Sequence, residues 1–311
     1  MPQNAVDRHL VDKLGSRVRF NTPLAPFVAY RVGGPADILI TPRDEADLEL
    51  VRKVHHDHQI PVTVIGRGTN LLILDGGIRG ITLSLVDAFQ DIELRQSNPP
   101  LVRCGGGAEK PALLAWAARR GYAGLEFSAG VPGTIGGGIF MNAGTKYGSY
   151  GEILRRLRLF DFQSGAREVS KADVHFGYRE QTAVRGSLVL WAEFELREGD
   201  TSVITGEVER IVAERAHKQP LEYPSCGSTF KNPPTGGAEG LSAGRLVERA
   251  HLKGLTRGGA QISEKHANFI LNRGGATAAD ILFLIEAAET RVENVFGVRL
   301  EREVIVLGDP Q

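Results

Sequence analysis

Cysteine is almost missing from this chain, with only Cys104 and Cys226 among 311 residues. Two thiols cannot make a disulfide framework, so the fold has to rest on a hydrophobic core, and a reducing compartment is the expectation. Long apolar runs are missing too: none approaches the ~18 residues of a membrane span. The N-terminal stretch mixes Asp7, Arg8, Asp12, Lys13 and Arg17 with isolated apolar residues and has no continuous secretory-type segment. Charge of one sign is not in excess. Lys plus Arg number 37 and Asp plus Glu number 37, so no global field draws in polyanions, which argues against a dedicated nucleic-acid binder. The expectation is a soluble, cytoplasmic monomer with no nucleic-acid partner and no membrane insertion. Two phosphate-binding signatures are also lacking. No Gly-Lys-Ser/Thr exists, and the Rossmann glycine pattern fails because Gly66-x-Gly68 is followed by Leu71 at the third glycine position.

Glycine is what the chain has in abundance, 38 residues against a usual ~7%, and it is clustered. From 28 to 196, short β-branched runs alternate with these clusters: 36–40, 61–65, 71–74, 80–86 and 101–104 read as strands. Two helices lie among them. One is entered through Thr41 and Pro42 and carries Leu48, Val51 and Val54 on one face; the other starts at Pro111, carries Leu114, Trp116 and Ala118, and stops at Gly121. Further on, Leu188, Leu190, Ala192, Phe194 and Leu196 alternate with Glu193 and Glu195, which predicts one strand with one apolar face. Beyond Gly199 the chain turns helical, over 207–217, around Leu246 and Val247, and over 277–296. In the last of these, Thr277 and Asp280 form a capping-box pattern, Ile281, Leu284, Ile285, Ala288, Val292 and Val295 form the apolar stripe, and Gly297 ends it. A strand over 304–307 closes the chain. The class is α+β, organised as 1–84 joined by 300–311, then 85–216, then 217–299.

Gly66-Arg67-Gly68-Thr69-Asn70-Leu71 follows an apolar strand, where successive amides can converge as an anion nest with Thr69 and Asn70 adding donors. Gly130-Val131-Pro132-Gly133-Thr134-Ile135-Gly136-Gly137-Gly138 is too long for a single turn and reads as a ligand-lining loop. His55, His56, Asp57 and His58 end an amphipathic helix with no second ligand pair at zinc spacing, so no metal site is expected. Arg155, Arg156 and Arg158 read as the wet face of a strand.

Arg31-Val32-Gly33-Gly34, the 66–72 loop and Val131-Pro132-Gly133-Thr134-Ile135-Gly136-Gly137 resemble the FAD-binding segments of UDP-N-acetylenolpyruvoylglucosamine reductases, the MurB family. The resemblance runs from about residue 20 to 308. It continues through Phe176-Gly177-Tyr178-Arg179, Gly227-Ser228-Thr229-Phe230-Lys231-Asn232-Pro233, Ala243 to Glu248, Lys265-His266-Ala267-Asn268-Phe269 and Leu300-Glu301-Arg302-Glu303-Val304. The glycine loops alone are shared with a wider superfamily of FAD oxidases; the later segments specify the reductase, of the shorter, type II branch. The resemblance implies a two-part FAD cradle of the PCMH/vanillyl-alcohol-oxidase type with a C-terminal α/β substrate-binding domain. It implies noncovalent FAD, NADPH as reductant and a UDP-sugar as substrate.

The implied reaction adds hydride to C3 of an enolpyruvyl ether, builds negative charge at C2 and the carboxylate, and then protonates C2. That needs a cationic group at the carboxylate and a proton donor across from the flavin. By the resemblance, Ser228 is the general acid, Arg179 the fork that holds the carboxylate, and Glu303 the catalytic glutamate. Glu303 is expected half-buried with a raised pKa, while Glu301 faces solvent. Tyr178, Lys218, Asn232 and His266 fall at substrate-binding positions, and either Tyr147 or Tyr150 holds the nucleotide. His251 stands where glycine is usual, so a local backbone shift is expected. The rival readings are another FAD-linked oxidase or dehydrogenase, which has no need of Ser228, and a nucleotide-sugar binding protein without catalysis.

Overall fold

Alternating residues around the 187–196 stretch build the larger sheet. In this structure, a computed structural model that describes residues 5–184, 186–234 and 240–310, the order is Gly165–Ser170, Leu154–Asp161, Ser187–Glu195, Pro100–Gly105 and Ile92–Ser97, with every neighbour antiparallel. The chain is α+β and forms two units. The first comprises Met1–Phe20, Ile38–Arg67 and Gly80–Arg215, the second Asn21–Asp37, Gly68–Arg79 and Ala216–Gln311.

The first unit has two cores. One buries Leu113, Leu114, Ala117, Ile135, Ile139, Tyr150, Leu157 and Phe194, and the other buries Leu48, Val51 and Val54 of helix Glu45–His58 with Ile81 and Leu83. The expectation that Leu188 to Leu196 share one apolar face is corrected by a bulge. Arg158 pairs with Trp191 while Leu159 pairs with Val189, which leaves Leu190 extra. An extra residue reverses the alternation, so Leu188 and Leu190 enter one core while Ala192, Phe194 and Leu196 enter the other. Glu193 is 1% exposed at its side chain, yet Arg156 and Arg103 grip its carboxylate at 2.8 and 2.7 Å. Burial pushes its pKa up, and the two guanidiniums overcome this and hold it below the usual range. Arg155 and Arg158 pair likewise with Glu195 and Glu45.

In the second unit, helix Ala278–Phe296 carries the predicted capping box between Thr277 and Asp280, and Gly297 ends it at φ 66°. Its stripe buries Ile281, Leu284, Ile285, Ala288 and Val292. Val295 does not follow; it is 45% exposed because the last turn carries it off the buried face. The Asp75 carboxylate accepts from the amides of Ala278 and Ala279, each at 2.9 Å, adding a remote cap to the local one. The helix packs with Ala260–Ile262 and Ile270–Asn272, which pair antiparallel. Ile305–Leu307 runs parallel to Leu71–Ile73. His251 takes φ 60°, the left-handed conformation that glycine favours, so the backbone keeps its turn and the side chain bears the strain.

Candidate active site

Ser228 follows Gly227, which turns the chain at φ 74°. The loop is held from two sides within the second unit. On one side, the carbonyl of Thr229 accepts from the amides of Glu303 and Val304 at 2.8 and 3.3 Å, and Lys231 N–H donates to the Glu301 carbonyl at 2.8 Å. On the other, Asn268 accepts from Phe230 N–H with Oδ1 at 3.0 Å, donates from Nδ2 to Phe230 O at 2.8 Å, and accepts from Thr229 N–H with its own carbonyl at 2.8 Å. Three motifs far apart in sequence thus form one backbone platform. Ser228 and Glu303 on it are both half-buried, whereas Glu301 is exposed and paired with Lys231.

The 68–71 loop joins the same platform. Asn70 donates from Nδ2 to the Glu303 carbonyl at 2.9 Å and accepts from Ile305 N–H at 3.0 Å. Its side chain therefore serves the protein as well as any ligand. Cys226 Sγ donates to Leu71 O at 3.3 Å, and burial pushes its thiol up to about 12. Cys104 is pushed to about 12 in the same way. Gly34 is required by this unit's own packing, because a Cβ there would overlap the carbonyl of Asp75. Arg31 beside it has φ 56° and an exposed side chain. Among the described residues, no backbone carbonyl accepts from the amides of Thr69 and Asn70. Adjacent free donors are what a phosphate needs.

His266 Nδ1 accepts from Asn268 N–H at 3.2 Å, and burial pushes the imidazole below its usual range, so it is neutral at pH 7. Asn232 Oδ1 accepts from Ala243 N–H at 3.1 Å. Lys218 ends helix Thr201–Lys218 with an exposed side chain.

In the first unit, Gly66 and Thr134 bring the two glycine loops together, since a Cβ on Gly66 would lie 2.6 Å from Thr134 Oγ1. Thr134 caps helix Ile135–Phe140 by accepting from Gly137 N–H at 3.3 Å, and Gly133 precedes it at φ 108°. Gly137 is exposed, with only Thr134 Oγ1 near the place a Cβ would take. Among the described residues the amides of Gly133 and Thr134 donate to no backbone carbonyl. Arg67 is directed by Glu109, which accepts from its Nε at 2.7 Å. These free amides and the clear surface over Gly137 fit the diphosphate of a dinucleotide such as FAD.

Arg179 holds φ 58° and donates from its guanidinium to Gly144 O at 3.1 Å. Non-glycine residues adopt such φ values at a cost, which is common where a side chain must be aimed. Asn142, which the sequence motifs do not single out, buries its amide to donate to Gly177 O at 2.7 Å and accept from Gly151 N–H at 3.0 Å. It ties the Arg179 turn to the glycine loop. Of the two tyrosines, Tyr150 is 1% exposed and packs on Phe127 and Phe194. Tyr147 reaches solvent, donates to Glu214 at 2.6 Å and accepts from Arg210 at 3.2 Å. Tyr178 is 54% exposed. Among the described residues no group of three His, Cys, Asp or Glu could hold a metal, and no helix is long and apolar enough to cross a membrane.

Comparison with known proteins accounts for both units. The family model for the C-terminal domain of UDP-N-acetylenolpyruvoylglucosamine reductase matches residues 219–307, and the FAD binding domain model matches residues 36–169. The UDP-N-acetylenolpyruvoylglucosamine reductase of Clostridioides difficile (strain 630) is 41% identical over 94% of this chain and 94% of its own. That of Heliobacterium modesticaldum is 42% identical over 92% of this chain and 90% of its own. The crystal structure of the Thermus caldophilus enzyme superposes with a TM-score of 0.78 at 32% identity, covering 94% of this chain and 98% of that one. Site motifs on one platform, glycine loops with free amides and full-length relatives at this identity agree, and the chain belongs to the UDP-N-acetylenolpyruvoylglucosamine reductase family.

Proposed function

We propose that the chain reduces UDP-N-acetylenolpyruvoylglucosamine to UDP-N-acetylmuramate, a precursor of peptidoglycan, with NADPH as reductant, and that Ser228, Arg179 and Glu303 manage the proton and the charge. The observation that supports these roles best is the double anchoring of the Ser228 loop, by Glu303 and Val304 on one side and Asn268 on the other. A proton donor acts over a few tenths of an ångström and needs such support. The loops 31–34, 66–71 and 130–137 would hold FAD noncovalently, since neither buried thiol is a thiolate at neutral pH. When bound, FAD supplies the hydride that reaches C3 of the enolpyruvyl group.

Ser228 Oγ then gives its proton to C2, and Arg179 steadies the carboxylate as charge builds on it. Glu303 orients the donor network or shares its proton. Neutral His266, with Lys218, Asn232, Tyr147 and Tyr178, binds the UDP-sugar. In this reading 1–84 with 300–311 and 85–216 serve the cofactor, and 217–299 serves the sugar nucleotide. The protein works as a cytoplasmic monomer, which fits exposed apolar side chains that are spread along the chain, among them Leu94, Val203, Leu221 and Phe283. One assay tests the whole reading: NADPH consumption by the purified yellow protein should require the enolpyruvyl UDP-sugar. Sugar-independent consumption with hydrogen peroxide as product would mark an oxidase and refute it.

A further inference from the structure

Arg179 sits in a weak hairpin. Among the described residues its ladder pairs Phe176 with Gln181 and Gly177 with Glu180, leaving Tyr178 and Arg179 as the two turn residues. Thr182 N–H donates to the His175 carbonyl at 3.2 Å and closes the open end. Two-residue turns that suit the twist of paired strands take a positive φ at the first turn residue; here the positive φ, 58°, falls on Arg179 and not on Tyr178. So short a ladder on a poorly matched turn has little stability of its own. The aim of Arg179 therefore depends on what fastens the hairpin from outside.

Two buried amides do so. Asn142, 8% exposed, follows helix Ile135–Phe140 at φ 40°, a conformation that asparagine tolerates better than most residues. Its Nδ2 donates to the Gly177 carbonyl at 2.7 Å, on the residue that enters the turn, and its Oδ1 accepts from Gly151 N–H at 3.0 Å. The fit is close: a Cβ on Gly151 would lie 2.9 Å from Asn142 Oδ1 and 2.7 Å from the Phe176 ring. Gln181, 5% exposed, accepts from Val184 N–H at 2.7 Å and donates from Nε2 to Phe140 O at 3.5 Å. Arg179 itself donates to Gly144 O at 3.1 Å. The hairpin is thus fastened at residues 140, 142 and 144, at the far end of the helix that the glycine loop opens, and the bond from Asn142 is the shortest of the three.

We propose that Asn142 is a positioning residue for Arg179: its amide fixes the turn through Gly177 O and so sets how strongly the protein prefers a ligand with a carboxylate over one without. The proposal rests on the reading above in which Arg179 receives the substrate carboxylate. Asn142 acts on the ligand only through the turn. A guanidinium fork gains from a carboxylate when its N–H groups meet the oxygens squarely at about 2.7–2.9 Å, so a loosened turn loses the carboxylate's share of the affinity and keeps the rest.

The test uses the oxidised holoprotein and two ligands: UDP-N-acetylmuramate, and UDP-N-acetylglucosamine, which has the same diphosphate and lacks the lactyl carboxylate. Calorimetry gives the ratio of their affinities, and partial unfolding cancels from it because both ligands report on the same folded protein. Asn142→Gly accepts φ 40° at no steric cost and loses only the amide. It should lower the ratio by about 10- to 100-fold, as expected for a lost hydrogen bond to a charged group, with UDP-N-acetylglucosamine binding within about twofold of wild type. Asn142→Asp, which keeps the shape and the bond from Gly151 but cannot donate to Gly177 O when ionised, should lower the ratio at pH 8 and decides the matter if the glycine variant does not fold. In an Arg179→Lys background, removal of the Asn142 amide should lower the ratio no further. An unchanged ratio, a loss that adds to that of Arg179→Lys, or a fall of both affinities by one factor, the mark of a merely structural residue, would overturn the proposal. Arg179→Lys with a wild-type ratio would refute the carboxylate role of Arg179 and take the proposal with it, whereas a fall in Arg179→Lys alone refutes only the part given to Asn142.

Discussion

Asn268 is the sharpest place to separate architecture from chemistry. Lys231 and Thr229 carry the hydrogen bonds to 301–304, so the N–H and C=O of Phe230 between them are left to the Asn268 amide, at 3.0 and 2.8 Å. Phe230 is 2% exposed and Asn268 4%, so water does not replace the lost partner. Asn268→Ala strands one buried donor and one buried acceptor at about 1–3 kcal/mol each, giving about 2–6 kcal/mol in total. That is a large share of the ~5–15 kcal/mol that a native protein has. Urea unfolding of the holoprotein gives the loss directly, and stopped-flow reoxidation by substrate should slow with it, because one of the two anchors of the Ser228 loop is reduced to the single backbone bond from Thr229 N–H to the residue 268 carbonyl. Asn268→Asp separates the two bonds. Only its protonated acid donates to Phe230 O, so the variant should come nearest to wild-type stability at about pH 4 and fall behind as pH rises through its carboxyl titration. Asn268→Ala within about 1 kcal/mol of wild type, with normal reoxidation, would refute the account of how the loop is held.

Ser228→Ala should behave in the opposite way, leaving stability and flavin reduction by NADPH nearly intact while slowing reoxidation by about 10²- to 10⁴-fold; equal slowing of both half-reactions in stopped flow would make Ser228 structural. Glu303→Gln should slow reoxidation by a comparable factor with little change in substrate affinity, and Glu301→Gln, whose carboxylate lies in solvent against Lys231, should stay near wild type; equal effects would refute the placement of the acid. Asp75→Ala removes two charge-assisted caps from helix Ala278–Phe296 and should cost about 1–2 kcal/mol in a denaturation curve; no loss would mean that Thr277 and Asp280 suffice.

Much of this architecture is local and so could be read from the chain. The Thr277 and Asp280 cap, the Gly297 stop and the difference in exposure between Glu301 and Glu303 all follow from a residue and its near neighbours. The change of face within 187–196 is not legible there, because a bulge belongs to the pairing of two strands and leaves no mark on either alone. The burial of Lys110 is illegible for a related reason: Glu-Lys-Pro is an ordinary helix opening until Gly138 and Tyr150 arrive to bury it. The motif does not tell Tyr147 from Tyr150; their difference in burial comes from packing of Tyr150 against Phe127 and Phe194. Asn268 stands in a quoted motif and Asn142 just beyond one, yet nothing in a single sequence says that an asparagine amide will be turned inward onto backbone.

The bond from Asn70 to Glu303 spans 233 residues, and beside it Leu71–Ile73 pairs with Ile305–Leu307. On a ribosome adding about 5–20 residues per second, the earlier strand waits roughly 10–50 s for its partner. Leu72 and Ile73, fully buried in the finished protein, are meanwhile an open edge of the kind that invites wrong pairings. Translation speed and chaperone capture during that interval therefore bear on the yield of active protein more than on the stability of the folded state, and a slowed ribosome lengthens the exposure of that edge in proportion.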